Sequence, residues 1–96
     1  MRATRRYRYK RTYPDGAVLE MVVWRLPQRS ADRPHGLKYR LHYGSADGRV
    51  TIRYDNETGK GDHRHDGNHE ERYVFVDYRT LIRDFLNDVA RARRQP

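Results

Sequence analysis

The segment Leu37-Lys38-Tyr39-Arg40-Leu41-His42-Tyr43 decides the fold class, because apolar and polar residues alternate along all of it. Successive side chains of a β-strand point to opposite faces, so this alternation predicts a strand with one buried and one exposed face. The leucines and tyrosines share the face predicted to be buried, and the basic residues share the other. The chain therefore contains at least one strand of a sheet that is covered on one side only.

Turn signals on both sides of this segment separate further strands. Pro14-Asp15-Gly16 and Asp47-Gly48 are typical of tight turns between antiparallel strands. The segment 17–26 is apolar on both faces for most of its length, which indicates a central position in the sheet. We predict strands over about residues 5–13, 17–26, 37–43, 49–55 and 72–76.

The period of the apolar residues changes after Asp77, which is a good N-cap candidate. From Tyr78 to Val89 the apolar residues recur at the i, i+3, i+4, i+7 spacing of an amphipathic helix, so we predict a helix over 78–92. Its apolar stripe would cover the apolar face of the sheet. The predicted fold is α+β, a small twisted antiparallel sheet of four to five strands covered on one face by a C-terminal amphipathic helix, in a single domain spanning 1–96.

Composition and charge restrict the function classes. The 96 residues include 21 Lys+Arg against 13 Asp+Glu, a net charge of +8, which favours a polyanionic partner, nucleic acid first. The chain has no cysteine, which excludes disulfides and thiolate chemistry. The N-terminus lacks the apolar region of a signal peptide, and no apolar run is long enough to span a membrane. We therefore expect a cytoplasmic protein without a membrane partner.

The polar face of the predicted sheet is almost exclusively basic. Like charges side by side on a sheet repel one another, so an anion outside the sheet should compensate them. The phosphates of RNA or DNA would do so, as would an acidic segment of a protein partner. The residues predicted to bind nucleic acid are Arg6, Arg8, Lys10, Lys38, Arg40, His42, Arg49 and Arg53.

The polar segment 56–71 is predicted to be an active loop. Histidine is suited to remove a proton from a 2′-OH and to donate one to the leaving oxygen during RNA cleavage. If the backbone is extended, His63 and His65 point to the same side. Lys60 and Arg64, with Arg53 as a further candidate, would place positive charge on the phosphate. The predicted catalytic residues are Lys60, His63, Arg64 and His65.

Other interpretations of this segment stay open. It could be a hydrated loop without function. His63 and His65, together with Asp62 or His69, could form an N/O metal site, but the neighbouring Lys60 and Arg64 disfavour a dication. Neither a metal nor another cofactor is therefore predicted. A carboxylate pair with a divalent ion could instead transfer a nucleotide to RNA or protein.

Five motifs together resemble the TumE family of toxin–antitoxin toxins. They are Leu37–Leu41, Tyr54–Glu57, Gly59–His65, Tyr73–Phe75 and Leu81–Phe85. The resemblance extends from about residue 7 to about residue 89, and the Asp-Asn-Glu and Lys-Gly-Asp-His-Arg-His pieces are its most specific parts.

The resemblance implies a prokaryotic type II module in which this chain is the toxin and a small helix-turn-helix protein is the antitoxin. It also implies RNA or the translation machinery, including the ribosome, as the target, and Lys60, His63, Arg64 and His65 as the functional motif. The leading hypothesis is a toxin that acts on RNA as an endoribonuclease. The alternatives are a non-enzymatic inhibitor that binds nucleic acid or the ribosome, and a nucleotide-transferring toxin. Homodimerisation is left open.

Overall fold

A computed structural model describes residues 3–57 and 59–94 of the chain. Each strand pairs antiparallel with the one before it, so the six strands form a single sheet in sequence order. The α+β class and the single C-terminal helix are confirmed, but the sheet has six strands instead of four to five. The elements are β1 (Thr4–Thr12), β2 (Val18–Arg25), β3 (Leu37–Gly44), β4 (Thr51–Asp55), β5 (His63–Asp66), β6 (His69–Arg72) and α1 (Tyr78–Arg94).

The additional strands lie inside the segment predicted to be a polar loop. β5 pairs with β4, and β6 folds back on β5 through a turn in which Gly67 has a φ of 61°. Both strands are wholly polar, so no alternation of apolar residues reveals them. A last strand was predicted over 72–76, but Arg72 ends β6 and residues 73–76 form no strand in the described chain: Tyr73 and Phe75 pack on the core while Val74 and Val76 are exposed.

The hydrophobic core lies between α1 and one face of β2, β3 and β4. α1 contributes Leu81, Phe85 and Val89, which are at most 3% exposed and recur every four residues, so they form one stripe. The helix begins as predicted, because the Asp77 carboxylate accepts a hydrogen bond from the backbone N–H of Thr80 at 2.7 Å. The sheet contributes Leu19, Met21, Val23, Tyr39, Leu41, Tyr43, Ile52 and Tyr54.

The face of the sheet opposite α1, called the open face below, is not covered by any described element. Two residues predicted for it lie elsewhere. The β1–β2 register shifts at Arg6, whose guanidinium carbon lies 5.2 Å from the centre of the Tyr78 ring of α1. Arg49 precedes β4 in the hairpin turn, where its side chain is 87% exposed and lies 3.9 Å from the Asp47 carboxylate. Arg6 is therefore displaced from the predicted face by a β-bulge, and Arg49 by its position before the first residue of β4.

Candidate active site

A pocket of about 190 Å³ opens on the open face where β4, β5 and β6 meet the segment that precedes β5. The strand register builds it, since Arg53 of β4 lies opposite His65 of β5, and His65 lies opposite Glu70 of β6. The lining residues are Arg53, Asp55, Glu57, Lys60, His63, His65 and Glu70.

His63 has an acceptor near each of its ring nitrogens. Its Nε2 lies 2.7 Å from the backbone carbonyl oxygen of Lys60. A carbonyl oxygen only accepts, so this nitrogen carries a proton and donates it. Its Nδ1 lies 3.2 Å from Oε1 of Glu70, although the pair is not aligned as a hydrogen bond. The imidazolium form of His63 is therefore surrounded by oxygen acceptors.

His65 has a different environment, in which one ring nitrogen faces both a donor and acceptors. Its Nε2 lies 3.3 Å from Nη2 of Arg53, which remains protonated and therefore donates. The same nitrogen lies 3.5 Å from Oδ1 of Asp55 and 3.9 Å from Oε1 of Glu70. The neutral ring is stabilised by Arg53 and the protonated ring by the two carboxylates, so both forms have a partner.

The two cations of the pocket are held differently. Arg53 Nε lies 3.0 Å from Oδ2 of Asp55, a charge contact without an aligned N–H, and the guanidinium bridges Asp55 and His65. Lys60 Nζ lies 3.7 Å from Glu57 Oε2, and both side chains are mostly exposed. Exposed ion pairs of this kind contribute little to stability. The Lys60 ammonium is therefore available to an anion in the pocket, while Arg53 is oriented in advance.

Arg64, the fourth predicted catalytic residue, is not in the pocket. It lies between the two histidines in sequence, and its side chain therefore projects to the opposite face of β5. There its Nε donates to Oδ2 of Asp88 at 2.7 Å and its Nη1 donates to Oε1 of Glu71 at 2.8 Å. The hydrogen bond to Asp88 raises the pKa of Arg64 above its ordinary value. Arg64 therefore joins β5 to α1.

Asp88 is the centre of this contact between sheet and helix. Its Oδ2 also accepts from the Tyr54 hydroxyl at 2.5 Å, and its Oδ1 lies 2.9 Å from Nη2 of Arg91. Burial opposes ionisation of Asp88, but the hydrogen bonds from Arg64 and Tyr54 outweigh it and lower the pKa of the carboxyl. A buried carboxylate on the polar side of the predicted helix was not anticipated from the sequence.

Asp62, which immediately precedes His63, is directed away from the pocket. Its Oδ2 accepts from the Tyr39 hydroxyl at 2.6 Å and lies 3.1 Å from Nε2 of His35. The backbone N–H of Leu37 donates to His35 Nδ1, so the His35 Nε2 carries the proton that faces Asp62. Burial, followed by the hydrogen bond to Asp62, raises the pKa of Tyr39 above its ordinary value. The carboxylate is therefore committed to these two partners.

The metal interpretation needs a third ligand beside His63 and His65, and Asp62 is not available because it binds Tyr39 and His35. Within residues 3–57 and 59–94, no group of three or more His, Cys, Asp or Glu side chains is placed to hold a metal ion. His69 lies on β6 opposite Asp66, on the face away from His63 and His65. Of the carboxylates that could form the pair for nucleotide transfer, Asp55 and Glu57 both line the pocket and Asp62 does not.

Asn56 fixes the start of the segment that carries Lys60. Its side-chain oxygen accepts from the backbone N–H of Tyr39 at 3.0 Å, and its amide donates to the carbonyl of Leu37 at 2.8 Å. Its own carbonyl accepts from Nε and Nη2 of the buried Arg33. The side chain of Asn56 thus extends the pairing of β3 with β4 by one residue. Arg33 and His35 come from a connection without periodicity, so only a long-range contact could have identified them.

The rest of the open face carries a mixture of charges. Glu20 of β2 lies on it, 3.5 Å from Nη2 of Arg8. Burial, and then the nearby charges of Arg40 and Arg53, lower the pKa of His42, so this ring is neutral at neutral pH. The prediction of an almost exclusively basic face therefore overstates its charge. The predicted residues that do lie on this face are Arg8, Lys10, Lys38, Arg40, His42 and Arg53.

Comparisons with known proteins identify one family. The family model described as Toxin TumE matches residues 2–93. No curated protein and no solved structure matches the chain. In the part of the chain that the structure describes, no helix is both long and apolar enough to cross a membrane.

Proposed function

Because the chain belongs to the TumE family of toxins, we propose that it acts on RNA as an endoribonuclease, with His65 as the general base and His63 as the general acid. Family membership gives the chain a toxin role and an antitoxin as its partner. The RNA target and the chemistry are proposed from the pocket, mainly because two histidines lie on one face of β5, each with a partner in both protonation states.

The proposed reaction is an attack of a ribose 2′-oxygen on the adjacent phosphorus. Neutral His65 accepts the 2′-OH proton at Nε2 as the new O–P bond forms, and the resulting imidazolium lies near Asp55 and Glu70. Protonated His63 donates a ring proton to the 5′-oxygen as the old P–O bond breaks. The products are a 2′,3′-cyclic phosphate and a 5′-hydroxyl, and no cofactor enters the balance.

Arg53 and Lys60 would stabilise the charge that develops on the phosphate oxygens. Arg53 already contacts His65, so its guanidinium lies where the attacking oxygen and the phosphate must come together. The three carboxylates of the pocket outnumber these two cations while both histidines are neutral. A bound phosphate therefore needs direct contact with Arg53 and Lys60.

The test is expression of the toxin with His63→Gln and His65→Gln, singly and together. His69→Gln is the matched control, because His69 belongs to the same hairpin and faces away from the pocket. We expect RNA cleavage to fall by about 100- to 10,000-fold in each pocket variant, the usual contribution of a general acid or base. The control should retain growth arrest and new 5′-hydroxyl RNA ends.

Each variant should first be shown to melt at the temperature of the wild type and to bind the antitoxin. Sequencing of RNA ends after brief induction then measures cleavage directly. A folded double variant that still produces the same RNA ends would refute the assignment of His63 and His65.

A non-enzymatic inhibitor is the second candidate, favoured by the cations of the open face that lie outside the pocket. Lys38 and Arg40 of β3 are exposed there, at positions that could hold RNA or a ribosomal surface by charge alone. This function predicts the opposite pattern of variants. Arg40→Glu would abolish growth arrest, and the double histidine variant would retain it without any RNA cleavage.

A further inference from the structure

A second concavity of about 640 Å³ adjoins the histidine pocket on the open face and shares Asp55 and Glu57 with it. One wall is apolar, formed by Val22 and Trp24 of β2. Lys38 and Arg40 of β3 form part of the opposite side, since Trp24 pairs with Lys38 and Val22 pairs with Arg40. We call this concavity the Trp24 groove.

The position of Trp24 is not explained by the core. β2 alternates, with Leu19, Met21 and Val23 buried under α1 and Trp24 directed to the open face. The indole is only partly covered, and Lys38 Nζ lies 5.9 Å from its ring centre. Trp24 and Val22 give the concavity an apolar wall beside charged groups, a composition typical of a ligand site.

We propose that the Trp24 groove binds one unpaired base of the RNA, stacked on Trp24, beside the phosphate that occupies the histidine pocket. This inference rests on RNA as the target of the proposed function. An aromatic face flanked by cations suits a nucleotide, because the base stacks on the ring while the cations reach the adjacent phosphates. Lys38 is close enough to Trp24 to exchange its contact with the ring for a phosphate.

The acidic residues of the groove favour a base over a phosphate within it. Asp55 and Glu57 line both cavities, and Arg53 and Lys60 offset their charge on the side of the histidine pocket. Glu20 lines the groove alone, and its carboxylate would repel a phosphate there. Carboxylates do accept hydrogen bonds from the amino and imino groups of bases. They would also repel the acidic segment of a protein partner, which is the competing occupant. A duplex cannot fill the groove, because its bases are stacked on one another.

Trp24 is the only tryptophan of the chain, so its fluorescence reports on this site alone. The probe is a single-stranded 2′-O-methyl oligonucleotide of about eight nucleotides, a length within the usual site size of single-strand binders. It lacks the 2′-OH nucleophile and is therefore not cleaved. We expect the single strand to quench Trp24, and the duplex formed with its complement to leave the fluorescence unchanged.

Variants then measure the contribution of stacking to affinity. Trp24→Ala should weaken binding of the labelled single strand by about 10- to 100-fold, the usual effect of losing one stacked base, while Trp24→Phe retains affinity within about 3-fold. Val18→Ala is the matched control, since Val18 shares the open face of β2 at its far end. It should leave the affinity unchanged.

Different experimental results would refute the base site and the proposed cleavage mechanism. Wild-type affinity in folded Trp24→Ala, or equal quenching by single strand and duplex, would overturn the base site even if RNA cleavage is retained. Quenching by the antitoxin without quenching by the oligonucleotide would assign the groove to the protein partner. Loss of the histidine roles with quenching intact would leave the base site standing and remove only the cleavage mechanism.

Discussion

Replacing Asp88 by asparagine should destabilise the protein, because the substitution removes a buried negative charge that faces Arg64. The Asp88 carboxylate is 10% exposed and accepts hydrogen bonds from the Tyr54 hydroxyl and the Arg64 guanidinium. Asparagine keeps the shape and one carbonyl oxygen but removes the charge that Arg64 faces. A hydrogen bond to a charged group contributes about 1.5–3 kcal/mol, so we expect Asp88→Asn to lower the free energy of unfolding by about 2 kcal/mol.

Asp66→Asn provides the comparison, because Asp66 also lies near Arg64 and Arg91 but its carboxylate is 45% exposed. A solvent-exposed pair of this kind is worth about 0–1 kcal/mol. In a domain of this size about 2 kcal/mol corresponds to a fall in Tm of about 8–16 °C, so thermal melts followed by circular dichroism will separate the two variants. Equal shifts for Asp66→Asn and Asp88→Asn would refute the role assigned to burial.

The difference in Tm between the wild type and Asp88→Asn should depend on pH in a defined direction. The pKa of Asp88 is lowered in the folded protein, so its contribution to stability is present above the ordinary value of 3.8 and is lost as the pH falls through the folded pKa. The difference in Tm between the wild type and Asp88→Asn should therefore be constant near neutral pH and shrink in acid. A difference that grows as the pH falls would contradict the lowered pKa.

Three further variants test the core, the β3–β4 junction and the open face. Phe85→Ala should cost about 3–5 kcal/mol in urea unfolding, because the ring is fully buried against Tyr54, and a loss below about 1 kcal/mol would show that the helix does not pack there. Asn56→Ala should cost about 2–4 kcal/mol, since it leaves the buried N–H of Tyr39 and the part-buried carbonyl of Leu37 unpaired, and an unchanged denaturation midpoint would contradict this. Arg40→Ala should weaken oligonucleotide binding and reduce its salt slope by about 1, whereas Arg49→Ala, in the turn, should change neither.

The sequence predicts those elements of the fold whose apolar residues are periodic. β3 was predicted over 37–43 and spans Leu37–Gly44, and α1 was predicted over 78–92 and spans Tyr78–Arg94. β5 and β6 could not be found this way, because the pairing of β5 with β4 and of β6 with β5 forms them, and every side chain in them is polar. In the strand predicted at 72–76, Arg72 ends β6 and the backbone N–H of Tyr73 donates to the Asp62 carbonyl, but residues 74–76 form no strand.

The alternation of side chains along a strand explains why the two histidines lie together, as predicted, and why Arg64 does not join them. An extended backbone places His63 and His65 on one side, as predicted, and necessarily places Arg64 on the other. Its positive charge and the family resemblance suggested that Arg64 would join the histidines. Asp88 could not be recognised either. It is buried because it lies on α1 where the Arg64 side chain of β5 reaches the helix, a contact between residues distant in sequence.

Arg64 should nevertheless influence cleavage without touching RNA, since it fixes the strand on which the histidines lie. Arg64→Lys retains the positive charge but not the planar fork that reaches Asp88 and Glu71 together. We expect kcat to fall by about 10- to 100-fold from misplaced histidines, with little change in KM, at a temperature where the variant is folded. Arg53→Lys should lower kcat and also raise KM, because Arg53 lies in the pocket. An Arg64→Lys variant with unchanged kcat in the proposed cleavage would show that β5 holds its histidines without help from α1.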